Sequence, residues 1–357
     1  MFRVLKAKDP EDYQYWLKIW NEWEDREIFA HPNYLQLYDH VSDAACALYK
    51  SDESLIIFPF CLRKIEQNII THDIFDIITP YGYGDIYQIG DDLDESIKLR
   101  FQHEYSDWVK KNNVVSEFIR FNLMSNSLRS YIGDLIECNS NIICDLTIGV
   151  EGLWNQFKPK VRRNIRKATR VNLKLEIDHD GKRLKDFFHL YNLTMDRLQA
   201  KSKYYFPLTY FEKLQNSLNG QCAYFYIMHN DKAIASVLVL FASKKMYYFL
   251  GGSDSEYFDL RPNELLHFEV MQWGIKKGIE RYVLGGGYSN NDSIFSFKKS
   301  FFPNGVYTFY CGQHIHDTKV YDELVIKHEN DIKSNALPVE HSAFFPRYRS
   351  GERGIVI

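Results

Sequence analysis

Apolar residues change period several times along the chain, and each change predicts an element. From Asp9 to Glu24, Trp16, Trp20 and Trp23 recur at three- and four-residue steps, the spacing of one helix face. His31 to Tyr38 predicts a short helix opened by Pro32. ACALYK, SLIIFPFCLRKI and FDIITPY are apolar runs separated by turn residues and predict strands. TPYGYGDIY, with two glycines and three tyrosines, predicts a loop. A helix over 94–112, a strand at VSEFIRFN and another at CDLTIG follow. A helix then runs from Gly152 to about Val171.

The second half repeats this grammar. Helices are expected over Leu184–Gln199 and Thr209–Leu218, then a meander of CAYFYIMH, AIASVLVLFA and MYYFLGG with turns at HNDK and SKK. The helix ELLHFEVMQWGIKKG has Pro262 and Asn263 at its start and Gly278 at its end. A strand RYVLGGG, a short helix near 292–301 and a strand VYTFYCGQH close the unit. The fold class is α/β (α+β): two domains, each a mixed twisted sheet flanked by helices, divided as 1–150 and 151–357 with the basic helix 152–171 at the boundary. In the tail, Phe344, Phe345 and Pro346 are candidates to dock the chain end onto the body.

At 357 residues the chain exceeds what one core usually supports, roughly 250–300, which agrees with two domains. A net charge of −3 offers no global attraction to nucleic acid or anionic membrane, so any such partner must meet a local patch. MFRVLKAKDPEDYQYW lacks the apolar centre of a signal peptide, and no apolar run nears the roughly 20 residues of a membrane span. The six cysteines form no CxxC or zinc spacing. These features predict a cytoplasmic protein with reduced, mostly buried thiols. His314 and His316 share one strand face, but the histidines do not cluster at metal-ligand spacing, so no metal is expected.

Two stretches carry candidate chemistry. Residues 158–170, KPKVRRNIRKATR, hold seven Lys or Arg and no acidic residue. On a helix, Arg162, Arg166 and Arg170 align, with Arg163 and Lys167 beside them, opposite an apolar stripe of Val161, Ile165, Ala168 and Val171. Like charges four apart repel by about 0.2–0.5 kcal/mol per pair, which a bound polyanion would relieve; the alternative is a plain solvated face. The second stretch is LGGGYSNNDSIFSFKKSF, 284–301. It is either a flexible turn before a surface helix, or a backbone that lets a substrate approach while a lysine is aimed at its developing charge.

These stretches, with TMDRLQAKSKYYF and YYFLGGSDSEYFDLRPNELLHFEVMQWGIKKG, resemble the FemAB family, the peptidoglycan bridge-forming aminoacyltransferases built from two tandem GNAT-type domains. The likeness is strongest over about 155–310 and weaker in TPYGYGDIY. The coiled-coil insertion of many members is absent. The resemblance implies transfer of an aminoacyl group from aminoacyl-tRNA to a primary amine of a cell-wall precursor or similar acceptor. tRNA or a nucleotide-linked precursor would be a partner. Contact with the inner face of the membrane is implied if the acceptor is lipid-linked. Two alternatives stay open: an acetyl-CoA-dependent N-acyltransferase on a small amine or amino sugar, and a ligand-binding member without catalysis. CoA-dependent relatives cradle pyrophosphate on loop glycines before a helix; here DLRPNELLHF offers side chains and Pro262, with Arg261 left as a phosphate holder.

The resemblance also assigns site residues. In F-K-x-x-F, Lys298 holds the lysine position, suited to stabilising the tetrahedral oxyanion and protonating the leaving group; Lys299 is expected to face solvent. Gly285, Gly286 and Gly287 would let the donor lie against backbone. Arg197, Lys201 and Tyr205 mark the acceptor region, with lysine where the family carries arginine, which removes a bidentate grip. Tyr83 and Tyr248 resemble tyrosines of the acceptor cleft. Arg162, Arg163, Arg166 and Arg261 are the candidates for phosphate or tRNA. Asp85 is the candidate base, though an Asp after Gly more often holds a turn; Asp254 and Asp292 are weaker rivals.

Overall fold

Asp9 begins the first helix as its sequence implies: its carboxylate accepts from the amides of Glu11 and Asp12, and Pro10 occupies the first helical position. The computed structural model describes residues 1–38, 42–51, 54–67, 70–90, 95–289, 292–334 and 344–351. Asn290, Asn291 and ALPVEHSA of the tail lie outside the described residues.

By Cα packing the chain forms two units. One comprises Met1–Trp23, Phe29–Cys138 and Phe309–Ile357, the other Glu24–Ile28 and Asn139–Thr308. In the first unit, strand β1 (Phe2–Lys6) is followed by helices α1 (Pro10–Glu22) and α2 (Pro32–Leu35) and strands β2 (Asp43–Lys50), β3 (Leu55–Lys64), β4 (Phe75–Ile78) and β5 (Tyr87–Ile89). Helix α3 (Glu95–Lys111) and strand β6 (Val114–Arg120) come next. Strands β1 to β4 form an antiparallel run, β5 pairs with β3, and β6 joins β4 in parallel through the crossover of α3.

Strand β7 (Asp134–Asp145) leads into the second unit, whose elements are α4 (Gly149–Gln156), α5 (Pro159–Arg170), β8 (Lys174–Asp178), α6 (Leu184–Arg197) and α7 (Leu208–Ser217). There follow β9 (Cys222–His229), β10 (Lys232–Ala242), β11 (Lys245–Ser253), α8 (Pro262–Lys276), β12 (Arg281–Gly285) and α9 (Ser293–Lys299). Strands β8 to β11 form the same antiparallel run, and β12 joins β11 in parallel after α8. The expected mixed α/β class and the shared order of the two halves are borne out.

The sheets are completed by strands from elsewhere in sequence. β7 pairs with β12, whereas β13 (Val306–Ile315) pairs with β6. Helix α10 (Thr318–Ser334) then returns to the first unit, burying Tyr321, Leu324 and Val325 on Ile65, Ile74 and Val115. The expected division at 150 follows chain order, and this exchange of closing strands does not. Phe345 reaches Tyr321 and Phe118, at ring centroids of 5.8 and 6.3 Å, so the docking role expected of the tail falls to it.

Strand β9 is apolar and buried from Cys222 to Met228 because both its faces are covered. Tyr224 meets Phe187 of α6, and the next residue, Phe225, meets Trp273 of α8. The expected helix from Gly152 to Val171 is instead two helices. Pro159 has no N–H to continue α4 and takes the first position of α5. Val171 lies beyond the end of α5 and is 36% exposed, so the buried stripe is Val161, Ile165 and Ala168. All six cysteines are free, and two meet: the Sγ atoms of Cys138 and Cys311 are 3.0 Å apart.

Candidate functional site

Helix α9 is built to bury a lysine. Asp292 caps it, accepting from the amides of Phe295, Tyr288 and Ser289 at 2.7, 2.5 and 3.0 Å. Phe295, Lys298 and Phe301 follow at three-residue intervals, so Lys298 lies in an apolar stripe and is 8% exposed. Its Nζ donates to the Gly286 carbonyl at 2.6 Å and sits 5.0 Å from the centroid of the Tyr248 ring. An ammonium has three N–H donors; one is used among the described residues. Burial pushes Lys298 down to about 8, against the upward pull of Asp292.

The three glycines each have a local reason. Gly285 has φ +73° where the pairing of β12 with β7 shifts register. A Cβ on Gly286 would come within 2.8 Å of the Ser140 carbonyl, and one on Gly287 would strike the Asp292 carboxylate. The strand can thus turn sharply and present the Gly286 carbonyl to Lys298.

His267 of α8 belongs to this site and was missed in the sequence, where it reads as one position of a buried helix. It is 5% exposed, stacks on Tyr248 at 5.4 Å, and touches Phe297 and Phe301. Its Nδ1 is buried without a hydrogen-bond partner. Burial, and after it the Lys298 charge, lower its pKa to about 3, so the imidazole is neutral near pH 7. The available signal was a lone histidine inside an otherwise apolar helix face.

The other expected residues are distributed as follows. Arg197 is exposed, its guanidinium 5.2 Å from the Phe258 ring centroid, and the Tyr205 hydroxyl donates to Asp196 at 2.9 Å. Lys201 is exposed just before a short 3-10 turn. Thr194, three residues before Arg197, ties α6 to β11: its Oγ1 accepts from Ser253 N at 2.9 Å. Arg261 adopts φ 62°, ψ 45° immediately before α8. Lys299 is half-buried over the Phe295 ring rather than solvent-facing. Tyr83, in the first unit, packs edge-on against Phe29 and Phe309.

The three carboxylates all have structural contacts. Asp85, also in the first unit, is 3% exposed and accepts from Ile86 N and the Ser127 hydroxyl, as a loop-holding carboxylate does. Asp254 pairs with Lys232 at 3.0 Å, and Asp292 is the cap of α9.

On α5, Arg162 donates to the Trp154 carbonyl at 3.2 Å and Arg166 lies over the Trp154 ring. Arg163, Arg166, Lys167 and Arg170 are exposed. Among the described residues no carboxylate pairs with any of them. The first turn of α5 abuts the end of α9 through Lys158 N donating to Ser300 O at 2.9 Å.

Residues 155–299 match a family model described as an acetyltransferase (GNAT) domain. Stretches of 72 and 63 residues are 35% and 34% identical to the lipid II:glycine glycyltransferases of Staphylococcus saprophyticus and Staphylococcus haemolyticus. Each match covers 18% of this chain, but only 17% and 15% of the respective relatives. Among solved structures, FemX is similar with a TM-score of 0.64 at 14% identity, over 87% of this chain and 97% of that one. L-PGS from Bacillus licheniformis is similar with a TM-score of 0.52 at 12% identity, over 94% and 98%.

Proposed function

We infer that this FemAB-like chain, carrying a GNAT acetyltransferase domain at 155–299 on the fold of FemX, is an aminoacyltransferase. It moves an aminoacyl group from an ester donor to the primary amine of a cell-wall precursor. Lipid II is the acceptor class that the names of its partial relatives suggest, and aminoacyl-tRNA the donor that the family resemblance suggests. The observation that carries this reading is Lys298, a buried ammonium held by a backbone carbonyl beside an aromatic ring.

The chemistry follows from that geometry. The acceptor amine attacks the ester carbonyl, forming the C–N bond and placing negative charge on the carbonyl oxygen. The N–H donors of Lys298 that no described residue takes stabilise this oxyanion in a site of low dielectric, where a fixed donor acts more strongly than water. As the C–O bond breaks, Lys298 gives a proton to the departing ribose oxygen. The proton lost by the amine passes to solvent or to a substrate phosphate. Asp85, buried under Ser127 and Ile86, is assigned no proton transfer in this reading.

This role requires the ammonium, whose pKa is about 8. The advantage of the wild type over Lys298→Met, a ratio in which the titration of the acceptor amine cancels, should therefore hold below about 8 and fall tenfold per unit above it. A pH–rate profile of kcat/KM checks this. A ratio that stays constant up to about pH 10 would remove Lys298 from the role.

The exposed cations of α5 suit a phosphate backbone. Replacing Arg162, Arg163 and Arg166 with Gln should weaken tRNA binding and reduce the slope of log K against log salt by about 2–3, at roughly 0.7–0.9 for each phosphate no longer neutralised. A salt titration of binding measures it, and an unchanged slope would assign these residues to a solvated face.

A further inference from the structure

His314 lies in β13 and His316 one residue past its end, with their ring centroids 4.2 Å apart. The antiparallel register of β13 on β6 sets His314 opposite Glu117, a carboxylate remote in sequence. One ligand atom from each of the three residues falls within 4.8 Å of the others. Glu117 is 3% exposed and the His316 side chain 9%. His314 is half-buried, which leaves the cluster an approach from solvent.

The cluster is incomplete as a hydrogen-bond network. His316 Nε2 is buried with no hydrogen-bond partner. It stands 3.7 Å from Glu117 Oε2, beyond hydrogen-bond reach. The Tyr105 hydroxyl already donates to that oxygen at 2.5 Å and holds the carboxylate in place. A buried polar atom that stands beside a carboxylate without bonding to it calls for an explanation, and a shared cation is one.

We propose that Glu117, His314 and His316 bind one divalent transition cation of the zinc class. Two imidazole nitrogens and one carboxylate oxygen are a zinc donor set; magnesium and calcium prefer oxygen throughout. Tetrahedral zinc with bonds of about 2.0–2.2 Å requires donor atoms about 3.4 Å apart. The His316–Glu117 separation of 3.7 Å is within a small side-chain adjustment of that. Three protein ligands leave the fourth position to water, and Tyr105 serves as the outer partner that orients Glu117. The cation would clamp β6 to β13, the strand with which the chain re-enters the first unit.

The test uses the full chain without an affinity tag, stripped with a chelator and dialysed. Titration with Co2+ should give the visible bands of a tetrahedral ion, saturating at one equivalent and bleached by Zn2+. Zn2+ should also raise the Tm by several degrees once it is well above its Kd. His314→Ala and His316→Ala should each abolish the bands and the Zn2+-dependent shift. His314 is half-buried, so His314→Ala tests the site even if His316→Ala fails to fold. The absence of both bands and shift in the wild type would mean that the gap holds water and would overturn the proposal. Bands or a shift that persist in folded His314→Ala would place the metal elsewhere and overturn it equally.

Discussion

Lys298→Met is expected to lower acyl transfer about 10²–10³-fold, the range for loss of one oxyanion donor, without lowering thermal stability. The two outcomes share a cause. The folded-state pKa of about 8 lies below the ordinary lysine value of about 10.4, so the unfolded chain holds this proton more tightly. Stability therefore rises with pH between about 8 and 10.4, and the full penalty applies below 8. The gap between about 8 and about 10.4 corresponds to about 3 kcal/mol. Met fills similar space without the charge, but strands the Gly286 carbonyl at a cost of about 1–3 kcal/mol. The net expectation is a Tm equal to or a few degrees above wild type at pH 7. Calorimetry beside a transfer assay measures both. Retained turnover, or a Tm several degrees lower, would show that Lys298 is held for structure.

Gly252→Ala is expected to produce the largest loss of stability. A Cβ at this position of β11 would stand 2.2 Å from Leu190 O, 2.3 Å from Leu190 C and 2.5 Å from Tyr191 N. These are backbone atoms of α6 and cannot rotate away, so helix and strand must separate. The adjoining bond from Ser253 N to Thr194 Oγ1, 2.9 Å long, would be strained as well. Overpacking of this kind costs about 1–3 kcal/mol, and more where backbone must move. We expect at least about 3 kcal/mol, or a Tm lower by roughly 6–12 °C. Chemical denaturation gives the value directly. A loss under about 1 kcal/mol would mean that α6 and β11 are not locked together, and that the second glycine of LGGS is not needed for their approach.

Much of this arrangement was legible as pattern. Period-two and period-3.6 runs located the meanders and the helices that follow them, because both signals are local. Pro159 should have broken the helix expected over 152–171, and the strength of the basic and apolar periodicity concealed it. The exchange of β7 and β13 left no trace, since pairing partners are chosen by tertiary burial and not by neighbouring residues. The polar run Asn139, Ser140 and Asn141 further hid the true length of β7.

The candidate site was legible only in part. Lys298 stood out through its resemblance to F-K-x-x-F, and its spacing from Phe295 and Phe301 already implied a buried position. His267 was masked by the apolar helix around it. Glu117 could not be linked to His314 without strand register. Lys201 and Tyr205 kept a family-like spacing, yet the Tyr205 hydroxyl donates to Asp196, and the neighbouring Arg197 lies over the Phe258 ring.

The central claim is that an ester-borne aminoacyl group passes to an amine under the charge of Lys298. Its most direct test is transfer of labelled glycine from glycyl-tRNA to lipid II, run beside acetyl-CoA with the same acceptor. The account predicts labelled lipid II from the tRNA ester, loss of that label with Lys298→Met, and no acetylated product. Acetyl transfer in place of glycyl transfer, or glycyl transfer undiminished by the substitution, would contradict it.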